Sequence, residues 1–339
     1  MSASSNAEAM VRVEGLSKVY RPTPGWMRAL VRTVISEDVV ALDDVSFTVG
    51  RGEVCALVGP NGAGKTTAFR ILVGLTTPTS GRAIVMGHDS HHESLAVRQV
   101  VGWMPAEERS LLMRLTSTEN LYFHGRLQGL KGRDLQSRIA AVLDRIGLGD
   151  KADDSVISLS AGMRARLQLA RALLHDPRVL ILDEPTGSVD PVAAHEILGL
   201  ITSVVEERGM AALISSHRLE EIEALQSHVV LLDQGKVRYD GDLEALRKTW
   251  DRHRIEVQFS TAERALEAAR LIGNAGIGTA DRVDEGTVLL TPTDDVSVGR
   301  MIAELGPLLA AVVYVREIRT PLRDVLAGMY RRRESSSHR

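Results

Sequence analysis

Residues 58–70 read VGPNGAGKTTAFR, and Gly59-Pro60-Asn61-Gly62-Ala63-Gly64-Lys65-Thr66 within them fits the spacing G-x-x-x-x-G-K-[ST]. Glycine is costly to order, so a loop that gathers three of them has a use for bare backbone. Between an apolar strand and a helix, such a loop turns successive N–H groups inward around phosphates, and the helix N-terminus adds partial positive charge. Lys65 then reaches the β- and γ-phosphates of a nucleotide, Thr66 holds Mg²⁺, and Thr67 closes the expected binding set. Downstream, VLILDE puts Asp183 and Glu184 after an apolar run. Strand ends of this kind face bound ligand. Asp183 suits the Mg²⁺ sphere, and Glu184 suits orienting or deprotonating an attacking water.

These residues need elements to hold them. EVCALVG (53–59) reads as the strand before the glycine loop, and TTAFRILVGL as the helix after it. Val11 and Val13 alternate like a strand, and 43–49, 82–87 and 98–104 read as further strands. From about 105 to 175 apolar residues recur at three- and four-residue spacing, which predicts a helical subdomain. RVLILDE (178–184) and MAALISS (210–216) are continuous apolar runs, as in strands of a parallel sheet buried on both faces. HVVLLDQGKVRYDG predicts a hairpin turning at Gln234-Gly235. After Trp250 short strands and helices alternate, which predicts a small α+β domain over 250–330, its last helix capped by Thr320. Residues 1–10 and 331–339 read as disordered, and the main domain as 11–247.

The unbroken run LSAGMRARLQLARALLHDPRVLILDEPTGSVDP resembles the signature, Walker B and D-loop of the nucleotide-binding subunits of ATP-binding cassette (ABC) transporters, a resemblance that covers about residues 10–245. It implies a P-loop α/β core with an antiparallel β subdomain and a helical subdomain. It implies ATP and Mg²⁺ as cofactors, and ATP hydrolysis coupled to transport. Ser160, Ala161 and Gly162 match the signature that faces the γ-phosphate held by the opposite subunit. Ser188, Val189 and Asp190 match the D-loop at the dimer interface. His217 in ISSHRLEEIEAL matches the switch residue at the γ-phosphate, and Tyr20 in LSKVY the aromatic that stacks on adenine. A helix N-cap is an equally good account of Ser160. The family carries a glutamine where a strand enters the helical subdomain. Here, counting from upstream gives Ala106 and counting from downstream gives Glu107, which as a carboxylate would supply the Mg²⁺ contact.

The resemblance implies a homodimer of cassettes, or a heterodimer with a similar one, serving a separate transmembrane permease. The C-terminal domain is similar to extensions found in drug, lipid or polymer exporters. Twenty residues, 21–40, interrupt the pattern after Tyr20; Trp26, Leu30 and Val34 there fall at helical spacing. The chain of 339 residues carries a formal net charge of −3, which gives no pull toward nucleic acid, so no nucleic-acid partner is expected. A single cysteine, Cys55, excludes an internal disulfide and fits a reducing compartment. No apolar run is long enough to span a bilayer. The expected place is cytoplasmic, on the inner membrane face through the permease. The alternatives are an ABC ATPase acting on ribosomes or nucleic acid, and a weakly hydrolysing nucleotide switch.

Overall fold

The computed structural model describes residues 9–22, 37–106, 110–225, 227–250, 254–293 and 296–318. Glu107, the helical pattern of the insertion around Trp26, the helix expected at Thr320 and the 331–339 tail lie outside these residues. The chain divides into two compact units between Leu243 and Glu244.

In the first unit β1 (Val11–Tyr20) and β2 (Val39–Val49) form an antiparallel pair that leads into β3 (Val54–Val58). The glycine loop and α1 (Lys65–Leu72) follow, then β4 (Ser80–Val85), β5 (His88–Asp89), α2 (Ser94–Val100) and β6 (Val101–Met104). Residues 98–104, expected as one strand, are split: the helix runs to Val100, and only the last four residues pair, in parallel with β7 (Val179–Asp183). Met10, assigned to a disordered terminus, is buried and donates its N–H to Val49 O at 2.9 Å.

The helical subdomain comprises α3 (Ser117–Leu127), α4 (Gly132–Arg145) and α5 (Ala161–Leu173). Thr116 and Glu119 start α3 as a reciprocal capping box, which satisfies two of the orphan N–H donors of a helix start. After β7 come α6 (Pro191–Arg208), β8 (Ala211–Ser216), α7 (Leu219–Leu225), β9 (His228–Asp233) and β10 (Lys236–Asp242). Gln234 and Gly235 both have positive φ, at 48° and 76°, as a tight hairpin between β9 and β10 requires.

One sheet has the order β2-β1-β4-β5 and the other β10-β9-β3-β8-β7-β6, parallel except for its β10 edge. The apolar runs are explained by two cores. Val179 and Ile181 of β7 join the cluster with Leu57 and Phe69, while Leu180 and Leu182 join the cluster under the helical subdomain with Leu121 and Leu167. A strand buried on both faces has no position to spare for polar residues. The parallel order also brings the C-terminal ends of β3, β7 and β8 side by side, where ligand binds in such sheets.

At the opposite end of the strands, His228 sits between two carboxylates, with Nδ1 2.7 Å from Glu53 Oε1 and Nε2 2.5 Å from Asp240 Oδ1. Burial opposes its charge, but Asp240 and Glu53 outweigh burial and hold the imidazolium up to about 9. The folded pKa lies above the unfolded value of 6.5, so this stabilisation is complete below about pH 6.5 and is lost as pH rises through about 9. The melting-temperature gap between the parent and His228→Gln is therefore expected to be widest near pH 6 and to close by about pH 10. A gap independent of pH would show that the charge on His228 contributes nothing.

The second unit begins with α8 (Leu243–Trp250) and continues through β11 (Arg254–Phe259), α9 (Ala262–Asn274), β12 (Gly278–Asp284), β13 (Thr287–Pro292), α10 (Val298–Glu304) and β14 (Val312–Ile318). Its sheet order, β12-β13-β11-β14, is antiparallel throughout, the split βαββαβ arrangement. Ile255, Val257 and Phe259 turn one face of β11 onto α9, where they meet Ala265, Ala268 and Ile272. Among the described residues, no helix is long and apolar enough to cross a membrane.

Candidate active site

The glycine loop joins β3 to α1, as its spacing requires. Gly64 is the N-cap of α1 with φ of 108°. A Cβ there would lie 2.4 Å from Ala41 O, and one on Gly59 would lie 2.2 Å from Leu232 O. These two glycines are thus demanded by the protein's own backbone in β2 and β9. Gly62, with φ of 83°, has nothing within 4 Å of its missing Cβ and is the one that leaves the loop's open side bare. Lys65 is buried, and its Nζ donates to Gly59 O at 2.7 Å and Pro60 O at 3.2 Å. Burial lowers its pKa, with the charges of Glu184 and Asp183 opposing that shift. Two neutral carbonyls hold this buried cation, and phosphate oxygens would hold it more strongly.

The Asp183 carboxylate is held from both sides. Its Oδ2 accepts from Thr66 Oγ1 at 2.9 Å and its Oδ1 from Ser215 Oγ at 2.6 Å. Ser215 Oγ in turn accepts the Glu184 N–H at 2.9 Å. A hydroxyl oxygen and a carboxylate side by side form the hard oxygen pair that Mg²⁺ takes, so the residues fit that ion. Glu184 follows with φ of 49°, a left-handed conformation that costs a non-glycine residue ~1 kcal/mol. Its Oε1 lies 3.2 Å from Nδ1 of His217, which is half exposed just after β8. Lys65, Thr66, Asp183, Glu184 and His217 are thereby brought together from α1, β7 and β8.

Ser160 is the N-cap of α5 and its Oγ accepts the Met163 N–H at 3.2 Å. A Cβ on Gly162 would stand 3.1 Å from Ala193 Cβ, so the signature turn packs on the start of α6. Asp190 caps α6, its Oδ1 accepting from Val192 and Ala193 N–H at 3.1 and 3.0 Å. Ala106 and Ala161 line a narrow cleft with Glu184, Gly187 and Ser188. Tyr20 ends β1 opposite Val39 and has Lys18 Nζ 5.0 Å from its ring centroid. Among the described residues it makes no hydrogen bond or ring contact to the glycine loop.

The family model for ABC transporter matches residues 42–187. The chain is 38% identical over 208 residues to the ABC transporter ATP-binding protein NatA of Bacillus subtilis (strain 168), over 61% of this chain and 84% of that protein. The chain belongs to the ABC transporter ATP-binding proteins. It is also 33% identical over 297 residues to the daunorubicin/doxorubicin resistance ATP-binding protein DrrA of Streptomyces peucetius, over 87% of this chain and 84% of that one. A solved ATP-binding subunit of an ABC transporter superposes with a TM-score of 0.58 at 27% identity, over 71% of this chain and 93% of that one. The dimeric ATP-binding cassette MJ0796, in a post-hydrolysis state bound to ADP and Pi, gives a TM-score of 0.60 at 23% identity, over 69% of this chain and 99% of that one. At that identity the likeness speaks for the fold. As an ABC ATP-binding protein, the chain binds and hydrolyses ATP as the ATPase subunit of a transporter.

Within this ABC subunit the geometry adds residues that sequence reasoning passed over. Ser215 is the link between Asp183 and the Glu184 backbone. Glu221, buried in α7, accepts from Thr186 Oγ1 and Ser216 Oγ, both at 2.7 Å, and faces Arg218 at 3.4 Å. Arg218 donates to Val189 O at 3.0 Å and Gly187 O at 3.3 Å, which ties the D-loop to the segment carrying His217. The only signal for the serines was two hydroxyls in an otherwise apolar strand. Gln168, only 3% exposed, lies in the α5 wall of the cleft that Glu184 also lines.

Proposed function

We propose that two copies of this chain, or this chain and a similar cassette, close around two ATP molecules and drive a separate membrane permease that exports its cargo. The observation that carries the reading is the Asp183 carboxylate, held between Thr66 of the glycine loop and Ser215 beside His217. In it, residues 59–67 cradle the phosphates, Lys65 neutralises the β- and γ-phosphates, and Thr66 and Asp183 hold Mg²⁺. When bound, that ion supplies charge neutralisation at the phosphates. Glu184 takes the proton of the attacking water, and His217, 3.2 Å away, orients that carboxylate and faces the γ-phosphate. Ser160, Ala161 and Gly162 offer a helix N-terminus to the nucleotide of the opposite cassette. Asp190 shapes the D-loop at that interface, and Tyr20 stacks on adenine. Most of the rate comes from positioning and charge stabilisation.

Export is supported by relatives named for drug resistance, such as DrrA, and for Nod factor export. A membrane partner is supported by Leu75, Leu95 and Leu127, which stand exposed around a groove of about 780 Å³. A docked apolar helix would cover them. In this reading the chain works on the cytoplasmic membrane face through its permease. Tagged protein drawn from detergent-extracted membranes of its native cells should bring down one polytopic membrane protein. Its ATPase rate should rise when the pair is reconstituted in lipid. Recovery with ribosomes and with no polytopic protein would overturn the transporter partner.

A further inference from the structure

Gln168 projects from α5 with its side chain buried, and among the described residues its amide oxygen has no hydrogen-bond partner. A buried acceptor left unmet costs about 1–3 kcal/mol, so such an atom calls for a partner. It lines the same cleft as Glu184. Ala106, Ala161 and Ala165 also line that cleft, and their short side chains leave it open. Pro185 adds a residue without an N–H. The cleft has a volume of about 20 Å³. A single water needs roughly 10–15 Å³ of such space and two or more polar neighbours. Gln168 and Glu184 supply those neighbours.

We propose that this cleft binds one ordered water that joins the Gln168 amide oxygen to the Glu184 carboxylate, making Gln168 a positioning residue for ATP hydrolysis. The water donates one hydrogen to Gln168 Oε1 and the other to Glu184. No bond is made or broken in it; it is distinct from the water that attacks phosphorus. Its bond to the carboxylate fixes the direction of the lone pair that takes the proton. His217 braces the same carboxylate at 3.2 Å, through Oε1, so Glu184 would be held by two groups. The proposal rests on the reading of Glu184 given above.

The test is steady-state ATPase kinetics with thermal melting of the parent and four variants. Gln168→Met keeps the volume and removes the polar end. It is expected to melt close to the parent, because the buried amide and its water are lost together, and to keep the KM for ATP within about twofold while kcat falls about tenfold. Ala165→Val fills the cleft without touching Gln168 and should lower kcat by a similar factor. The decisive variant is Gln168→Met with Ala106→Gln, which brings an amide into the cleft from its other wall. It should recover kcat to within about threefold of the parent, a rescue that a packing role for Gln168 would not give. Parental kcat in Gln168→Met, or a loss that Ala106→Gln does not rescue, overturns the proposal. Glu184→Gln, run alongside, separates the two failures. If it retains parental turnover, the reading of Glu184 falls. If it is inactive while Gln168→Met is parental, only the bridging water falls.

Discussion

Glu184→Gln is expected to bind ATP as the parent does, to hydrolyse it at least about a hundredfold more slowly, and to accumulate as an ATP-bound dimer. The substitution is isosteric, so the turn after β7 keeps its shape, and the Glu184 N–H can still bond to Ser215 Oγ. What disappears is the base for the attacking water, together with a negative charge near the γ-phosphate. Losing the base slows chemistry. Losing the charge removes a repulsion that opposes closure of two cassettes over ATP. Both changes push the population toward the closed, loaded state. Turnover measured at saturating ATP gives the first effect. Size-exclusion chromatography with ATP and Mg²⁺, at protein concentrations well above that of the assay, gives the second. Turnover within a few-fold of the parent would remove Glu184 from proton transfer.

Lys65→Ala is expected to weaken ATP binding about a hundredfold, the order of effect when a buried charged donor to an anion is deleted. The apo geometry gives the reason for so large a loss. Lys65 Nζ is already buried and already aimed across the loop, held by Gly59 O and Pro60 O. Little side-chain freedom remains to be lost when phosphate arrives, so most of the interaction appears as affinity. Burial also keeps its pKa below the ordinary lysine value, and an arriving polyphosphate would reverse that shift by stabilising the charged form. Equilibrium titration with a fluorescent ATP analogue checks the affinity, and circular dichroism checks that the loop and α1 persist. An unchanged dissociation constant would place the phosphates elsewhere.

Much of this was legible in the sequence where one residue type answers to one local demand. The β7 run was clear because both faces of that strand are buried, Val179 and Ile181 in one core and Leu180 and Leu182 in the other. Arg98 to Met104 misled because apolar Val100 and Val101 straddle a helix end, and only tertiary packing decides which side of that end each falls on. Polar Thr279 and Asp281 break the apolar alternation that would mark β12, although it pairs with β13 across the short Glu285-Gly286 turn. Gly59 and Gly64 were read as making room for phosphate. Their nearest constraints are Leu232 O and Ala41 O, carbonyls supplied by the neighbouring strands β9 and β2. The Glu221 and Gln168 environments were invisible for the same reason. Each joins residues from different elements, and neither has a spacing that a single sequence can display.

The left-handed backbone at Glu184 sets stability and turnover in conflict at one residue. Glycine, and to a lesser degree asparagine, would occupy that conformation with less strain. Evolution for heat resistance alone would drift toward those replacements and extinguish hydrolysis on the way. Conversely, a homologue that has kept its fold but abandoned hydrolysis has no reason to retain a carboxylate there, and glycine at that position would relieve the strain. The side chain carried on that torsion, and not the torsion itself, is therefore what separates a hydrolysing cassette from one that only keeps the fold.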